Sequence, residues 1–128
     1  MTDDPATRER RFTPEDADAE LEELRIRLPR LREARQRLID TSERVTAAVE
    51  VDGGGIEGSD WFRAQGSLKA ELLWLAERGI LLRDPDTGLV DFPAERDGER
   101  VFLCWRLGED RVAWFHGEEA GFSGRRPL

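Results

Sequence analysis

The sequence predicts an α+β fold: a long antiparallel two-helix hairpin packed on a four-stranded antiparallel β-meander and closed by an ordered C-terminal tail. Three observations carry it. Apolar residues follow a three-four spacing from Leu21 to Leu75, the period changes to two from Ile80, and turn sequences cut the second half into short segments. The 128 residues fit one domain, long enough to bury roughly two thirds of the unfolded surface without disulfide or metal staples. Residues 1–11 are charged and lack apolar spacing, which predicts a flexible N-terminal tail. Residues 12–128 then form the domain, with the hairpin over 13–79, the meander over 80–116 and the closing tail over 117–128.

The first helix opens at "TPEDADAELEEL". Thr13 caps its free amides, Pro14 suits the first helical position, and Glu15 and Asp16 complement the positive helix end. Leu21, Leu24, Leu28, Leu31, Leu38, Val45 and Val49 form one stripe, interrupted at Arg35 and Ser42, so the helix runs to about Glu50. Pro29 frees the carbonyl of Arg25 and bends the axis. "VDGGGIEGSD" ends this helix; Ser59 caps a second, with the stripe Trp61, Gln65, Leu68, Leu72 and Leu75 and a stop at Gly79. Gly53 to Gly55 resembles a phosphate cradle only superficially. The Gly-Lys-Ser/Thr ending is missing, and Asp52, Glu57 and Asp60 repel phosphate, so a hairpin connector is the better reading.

Four strands follow, "ILLRD", "LVDFPAE", "RVFLCWR" and "RVAWFH", separated by "DPDTG", "DG" and "GED". Asp97-Gly98 suits a type I′ turn, which sets Arg96 opposite Glu99, Phe92 opposite Leu103 and Asp91 opposite Cys104. Gly108-Glu109 as a type II′ turn sets Trp105 opposite Val112, Leu103 opposite Trp114, Cys104 opposite Ala113 and His116 opposite Val101. The core face is then Val90, Phe92, Val101, Leu103, Trp105, Val112, Trp114 and His116. The other face carries Asp91, Glu95, Arg100, Phe102, Cys104, Arg106, Arg111 and Phe115. On this register the only cysteine and the only histidine point to opposite sides, which excludes a thiolate–imidazole pair. A three-residue turn, Gly108 to Asp110, reunites them but scrambles the apolar face.

Composition narrows the function. A net charge of −8 disfavours nucleic acid, whose binding needs clustered basic residues. The longest apolar runs, "LLWLA" and "VFLCW", fall far short of the about 20 residues that span a membrane. A lone cysteine and an N-terminus without an apolar stretch support neither a disulfide scaffold nor a signal peptide, so a soluble cytoplasmic protein is expected. Cys104 reads as a small strand hydrophobe and His116 as a hydrogen-bonded edge of the core. No metal site is expected, because no further cysteine or histidine can complete one. The sequence leaves the cofactor unknown.

The best polar constellation is Asp91, Cys104, Arg106 and Arg111, with Phe122, Arg125 and Arg126 of the tail able to cover it. Such a lidded face suits a small anion or carboxylate. The primary expectation is a binding or protein-interaction module. The alternative is a small enzyme with Asp91 as acid or base and Arg106 with Arg125 holding an anionic group. Self-association is a further expectation: an unbroken first helix of about 55 Å would overhang its partner of about 30 Å, and either the sheet covers the segment before Pro29 or a second copy covers the excess.

"RRFTPEDADAELEEL", "GLVDFPAERDGERVFLCWRLGE" and "HGEEAGFSGRRPL" resemble the blocks of the domain-of-unknown-function 2203 family, small proteins of bacteria and plants. The similarity covers nearly the whole chain from Arg11. Its specific part is Val90 to Pro93, Leu103 to Trp105, Gly108-Glu109, His116, and Gly121 to Arg125. Phe115 stands where a tryptophan is expected and Asp18 where asparagine is common. The resemblance implies one shared domain and no particular reaction.

Overall fold

The computed structural model describes residues 9–52 and 58–128. The expected tail over 1–8, the glycine triplet, and the side chains of Val45 and Val49 lie outside the described residues. A helical pair packs on one face of a five-stranded antiparallel sheet, in the order β1-β2-β3-β4-β5. The elements are α1 (Pro14–Asp18), α2 (Leu21–Asp52), α3 (Gly58–Arg78), β1 (Leu81–Asp84), β2 (Leu89–Arg96), β3 (Glu99–Arg106), β4 (Trp114–Gly117), a 3₁₀ turn (Phe122–Gly124) and β5 (Arg126–Pro127).

Thr13 does cap the first helix. Its hydroxyl accepts the Asp16 amide and its own amide donates to the Asp16 carboxylate, each at 3.0 Å, a closed capping box. That helix is short, however. The chain turns at Ala19–Glu20 before α2 starts, which frees the Asp18 carboxylate to accept the Val112 amide at 2.8 Å and brings Glu20 to Arg10 and Arg78. From Leu21 the helix continues through Pro29.

Leu21, Leu24, Leu28, Leu31 and Leu75 are buried as their spacing predicts, and the helix–helix seam departs from the expected stripes at four positions. Ala34 and Thr41 are buried beside the interruptions at Arg35 and Ser42, and α3 buries Ala64 and Glu71 rather than Gln65 and Leu72. Small residues allow close helix approach, and Arg27 reaches the buried Glu71 carboxylate at 3.1 Å, so a polar pair occupies a place the pattern reserved for leucine. Helix α3 starts at Gly58, which puts Ser59 inside its first turn. Its C-terminus closes at Gly79 (φ +77°): Gly79 and Ile80 amides donate to the Ala76 and Leu75 carbonyls.

Asp97 (φ +54°) and Gly98 (φ +80°) form the expected hairpin, and β2 pairs with β3 in the expected register, Asp91 opposite Cys104. The next turn differs. Its hydrogen bond runs from the Glu109 amide to the Arg106 carbonyl, so Leu107-Gly108 are the central pair and Gly108 (φ +108°) supplies the left-handed second position. The Glu109 side chain then accepts the Arg106 amide at 2.7 Å, a bond a returning strand could otherwise make. Strand β4 begins only at Trp114, and the pairing is Cys104 opposite Trp114, Leu103 opposite Phe115 and Phe102 opposite His116.

This one-residue shift turns β4 over. Phe115 joins Val90, Phe92, Ala94, Val101, Leu103 and Trp105 in the core under the helices, while Trp114 and His116 move to the opposite face. Val112 still reaches the core, from the loop rather than from a strand. The apolar face therefore survives a register expected to scramble it. In the tail, β5 adds a fifth strand against β4.

Candidate functional site

The face away from the helices is also largely buried along β2 and β3. Three of its side chains converge. Asp91 from β2, Cys104 from β3 and His116 from β4 are all buried, and their ligating atoms lie within 4.8 Å of one another. The expectation that thiol and imidazole leave the sheet on opposite sides is thus overturned by the β3–β4 register.

The polar bonds inside this cluster do not balance. His116 Nδ1 lies 2.7 Å from the Gly117 carbonyl oxygen, and Nε2 lies 3.0 Å from Asp91 Oδ2. Both neighbours are acceptors, whereas a neutral imidazole has one N–H to donate. A second ring proton or a metal ion at Nε2 resolves the conflict. Asp91 Oδ2 also accepts Arg83 Nε at 2.8 Å, but Asp91 Oδ1 is buried with no hydrogen-bond partner among the described residues. A buried carboxylate oxygen left bare is costly, on the order of 1–3 kcal/mol.

Arg83 is the extra residue of a β-bulge in β1, between the pairs Leu82–Val90 and Asp84–Leu89. Its guanidinium also sits over the Phe102 ring, 5.1 Å from the centroid. On the opposite flank Arg125 pairs with Glu109 at 2.9 Å and stacks over Trp114 and Phe122. Burial, aided by the Asp91 charge and opposed by Arg125, pushes the Cys104 thiol up to about 11.

That elevated thiol and the imidazole geometry argue against a Cys–His–Asp nucleophile. Both ring nitrogens are engaged elsewhere, so none faces the sulfur to take its proton. The donor set suits a metal better: imidazole nitrogen, carboxylate oxygen and thiolate sulfur are the ligands of zinc-class ions. In a tetrahedral site with bonds of about 2.0–2.3 Å the donors stand about 3.3–3.8 Å apart. The cluster fits if its widest edge draws in by roughly 1 Å from the 4.8 Å limit. The Nδ1 contact to Gly117 is the outer bond a ligating histidine normally makes.

Of the residues proposed from sequence, the structure brings Asp91 and Cys104 together and sets Arg125 beside them. Arg106 is exposed and stacks on Phe122, 5.2 Å from its centroid. Arg111 lies exposed in the loop before β4. His116 and Arg83 were not in the sequence-derived set. The alternation of Leu81 and Arg83 in "ILLRD" was the available signal for Arg83, but a five-residue connection leaves its register against β2 open.

The donors open into a cavity of about 250 Å³ bounded also by Arg83, Leu89, Glu118 and Phe122. Fold and cluster together define a small α+β domain with a nitrogen, oxygen and sulfur donor set on the outer face of its sheet. The chain belongs to a family of uncharacterized conserved proteins, DUF2203, whose model matches residues 10–128. No curated protein and no solved structure matches it. Among the described residues no helix is long and apolar enough to cross a membrane.

Proposed function

We propose that this domain is a metal-binding module that holds one zinc-class divalent ion through Asp91, Cys104 and His116. The observation that carries the reading is at Asp91: Oδ1 is buried without a partner among the described residues, and His116 Nε2 faces Oδ2, an oxygen to which Arg83 already donates. A divalent ion satisfies both atoms at once. Thiolate and carboxylate also cancel its charge, which a buried site requires. Harder ions such as magnesium prefer oxygen donors throughout and suit this set poorly. A thiolate ligand favours a reducing compartment, consistent with a cytoplasmic protein.

The test is cobalt titration of metal-stripped protein, followed by the thiolate-to-cobalt charge-transfer band, with zinc competing for the site. The wild type shows a saturable band at one equivalent; Cys104→Ser abolishes it, His116→Ala weakens binding by tenfold or more, and Arg111→Ala leaves it unchanged. A wild type without the band overturns the reading.

Self-association of the helical hairpin is supported by a second observation. Phe62 and Leu73 of α3 and Ile39 of α2 are large apolar side chains left exposed. Light scattering that gives the mass of one chain at high concentration overturns it.

A further inference from the structure

Resting on the metal reading, we infer that the fourth coordination position takes the carboxylate of a small organic monoanion. Three protein donors leave a tetrahedral ion one position, the arrangement of sites that bind an outside ligand. Asp91, Cys104 and His116 all line the same cavity, so that position is reached from it. At about 250 Å³ the space is below the roughly 300 Å³ of pockets for drug-sized ligands, which restricts the occupant to a few heavy atoms.

Charge selects the class. With the ion neutralised by Asp91 and Cys104, Arg83 leaves one positive charge at the cavity. Glu118 at 2.9 Å shares Arg100 with Glu9, and Arg11 stands 3.9 Å from Glu9, so these two carboxylates and two guanidinium groups cancel, as do Glu109 and Arg125 at 2.9 Å. A monoanion balances this environment and a phosphate dianion does not. Arg83 spends Nε on Asp91, and the two terminal amino groups outside that bond form the planar fork that matches a carboxylate. Leu89 and Phe122 supply apolar wall for the organic part. Phe122 belongs to the tail, where Arg106 and Arg125 stack on it, so the tail is a wall of the pocket.

The experiment titrates cobalt-loaded protein with acetate, propionate and inorganic phosphate at constant ionic strength, reading the visible d–d bands. Acetate and propionate are expected to shift the bands saturably. Arg83→Gln weakens that response by about tenfold or more, and Phe122→Trp, which fills the cavity, removes it while the charge-transfer band persists. Bands in the wild type that ignore both carboxylates overturn the inference and leave the metal reading standing. So does a response to acetate that appears only in Glu118→Gln, which shows that Glu118 itself takes the position. Phosphate acting as strongly as acetate overturns the choice of a monoanion. Absence of any cobalt band overturns the metal reading and this inference with it.

Discussion

His116 stands opposite Phe102, not Val101, and that single pairing places its ring on the same side of the sheet as Cys104. The ring centroids of His116 and Phe102 are 5.4 Å apart. Everything chemical about this domain follows from the residue that the loop between β3 and β4 absorbs.

The register is open to a stability test. Phe115 is buried in the core and Trp114 is only partly buried on the other face. Phe115→Ala should cost about 3–5 kcal/mol and Trp114→Ala roughly 1 kcal/mol in urea unfolding. The reverse order is what the one-residue alternative demands.

Asp18 gives a second check. Its carboxylate accepts the amide of buried Val112. Asp18→Asn keeps an acceptor and should change stability by less than about 0.5 kcal/mol. Asp18→Leu strands the amide and should cost about 1–3 kcal/mol.

The capping box predicts a pH dependence. Hydrogen bonds from the Thr13 backbone and hydroxyl region hold the Asp16 carboxyl below its ordinary 3.8. A depressed folded-state pKa stabilises fully above the unfolded value and is lost as pH falls through the folded one. Asp16→Ala should therefore lower Tm near neutral pH, and its gap from the wild type should narrow progressively below pH 3.8. A gap that stays constant into acid contradicts the assignment.

Arg125 links the tail to the cluster through Glu109, Trp114 and Phe122. Cys104 is buried beneath it. Arg125→Ala should speed modification of the native thiol by a disulfide reagent about tenfold, through local opening of the tail. Arg125→Lys keeps the charge but not the planar stacking surface and should fall between the two. Equal rates in all three proteins would show that the tail does not shield the thiol.

Much of this architecture is legible in the chain itself. Asp97-Gly98 permits essentially one hairpin, so Asp91 and Cys104 are correctly paired from sequence alone. Gly108 is different, because a left-handed glycine serves as the first central residue of one turn type or the second of another, and the two readings differ by one residue. The deciding groups are the Glu109 carboxylate on the Arg106 amide, the Trp105 indole donating to the Glu109 carbonyl at 3.0 Å, and Arg25 donating to the Asp110 carbonyl at 2.8 Å. Two of these are side-chain bonds from within the same hairpin and one comes from a helix far away in the chain. Periodicity registers none of them. The buried Glu71 was invisible for a related reason: its partner Arg27 lies on the other helix, and a pattern of apolar spacing has no way to score an ion pair.

Arg100 holds Glu118 with one terminal nitrogen and grips Glu9 with the remainder of its guanidinium. A chain trimmed to begin at Phe12 loses one of the two competitors for that cation, and Glu118 inherits it whole. Shortening the protein at its start thus rewires the rim of the cavity more than ninety residues downstream in the sequence, though not one group that borders the cavity has been altered.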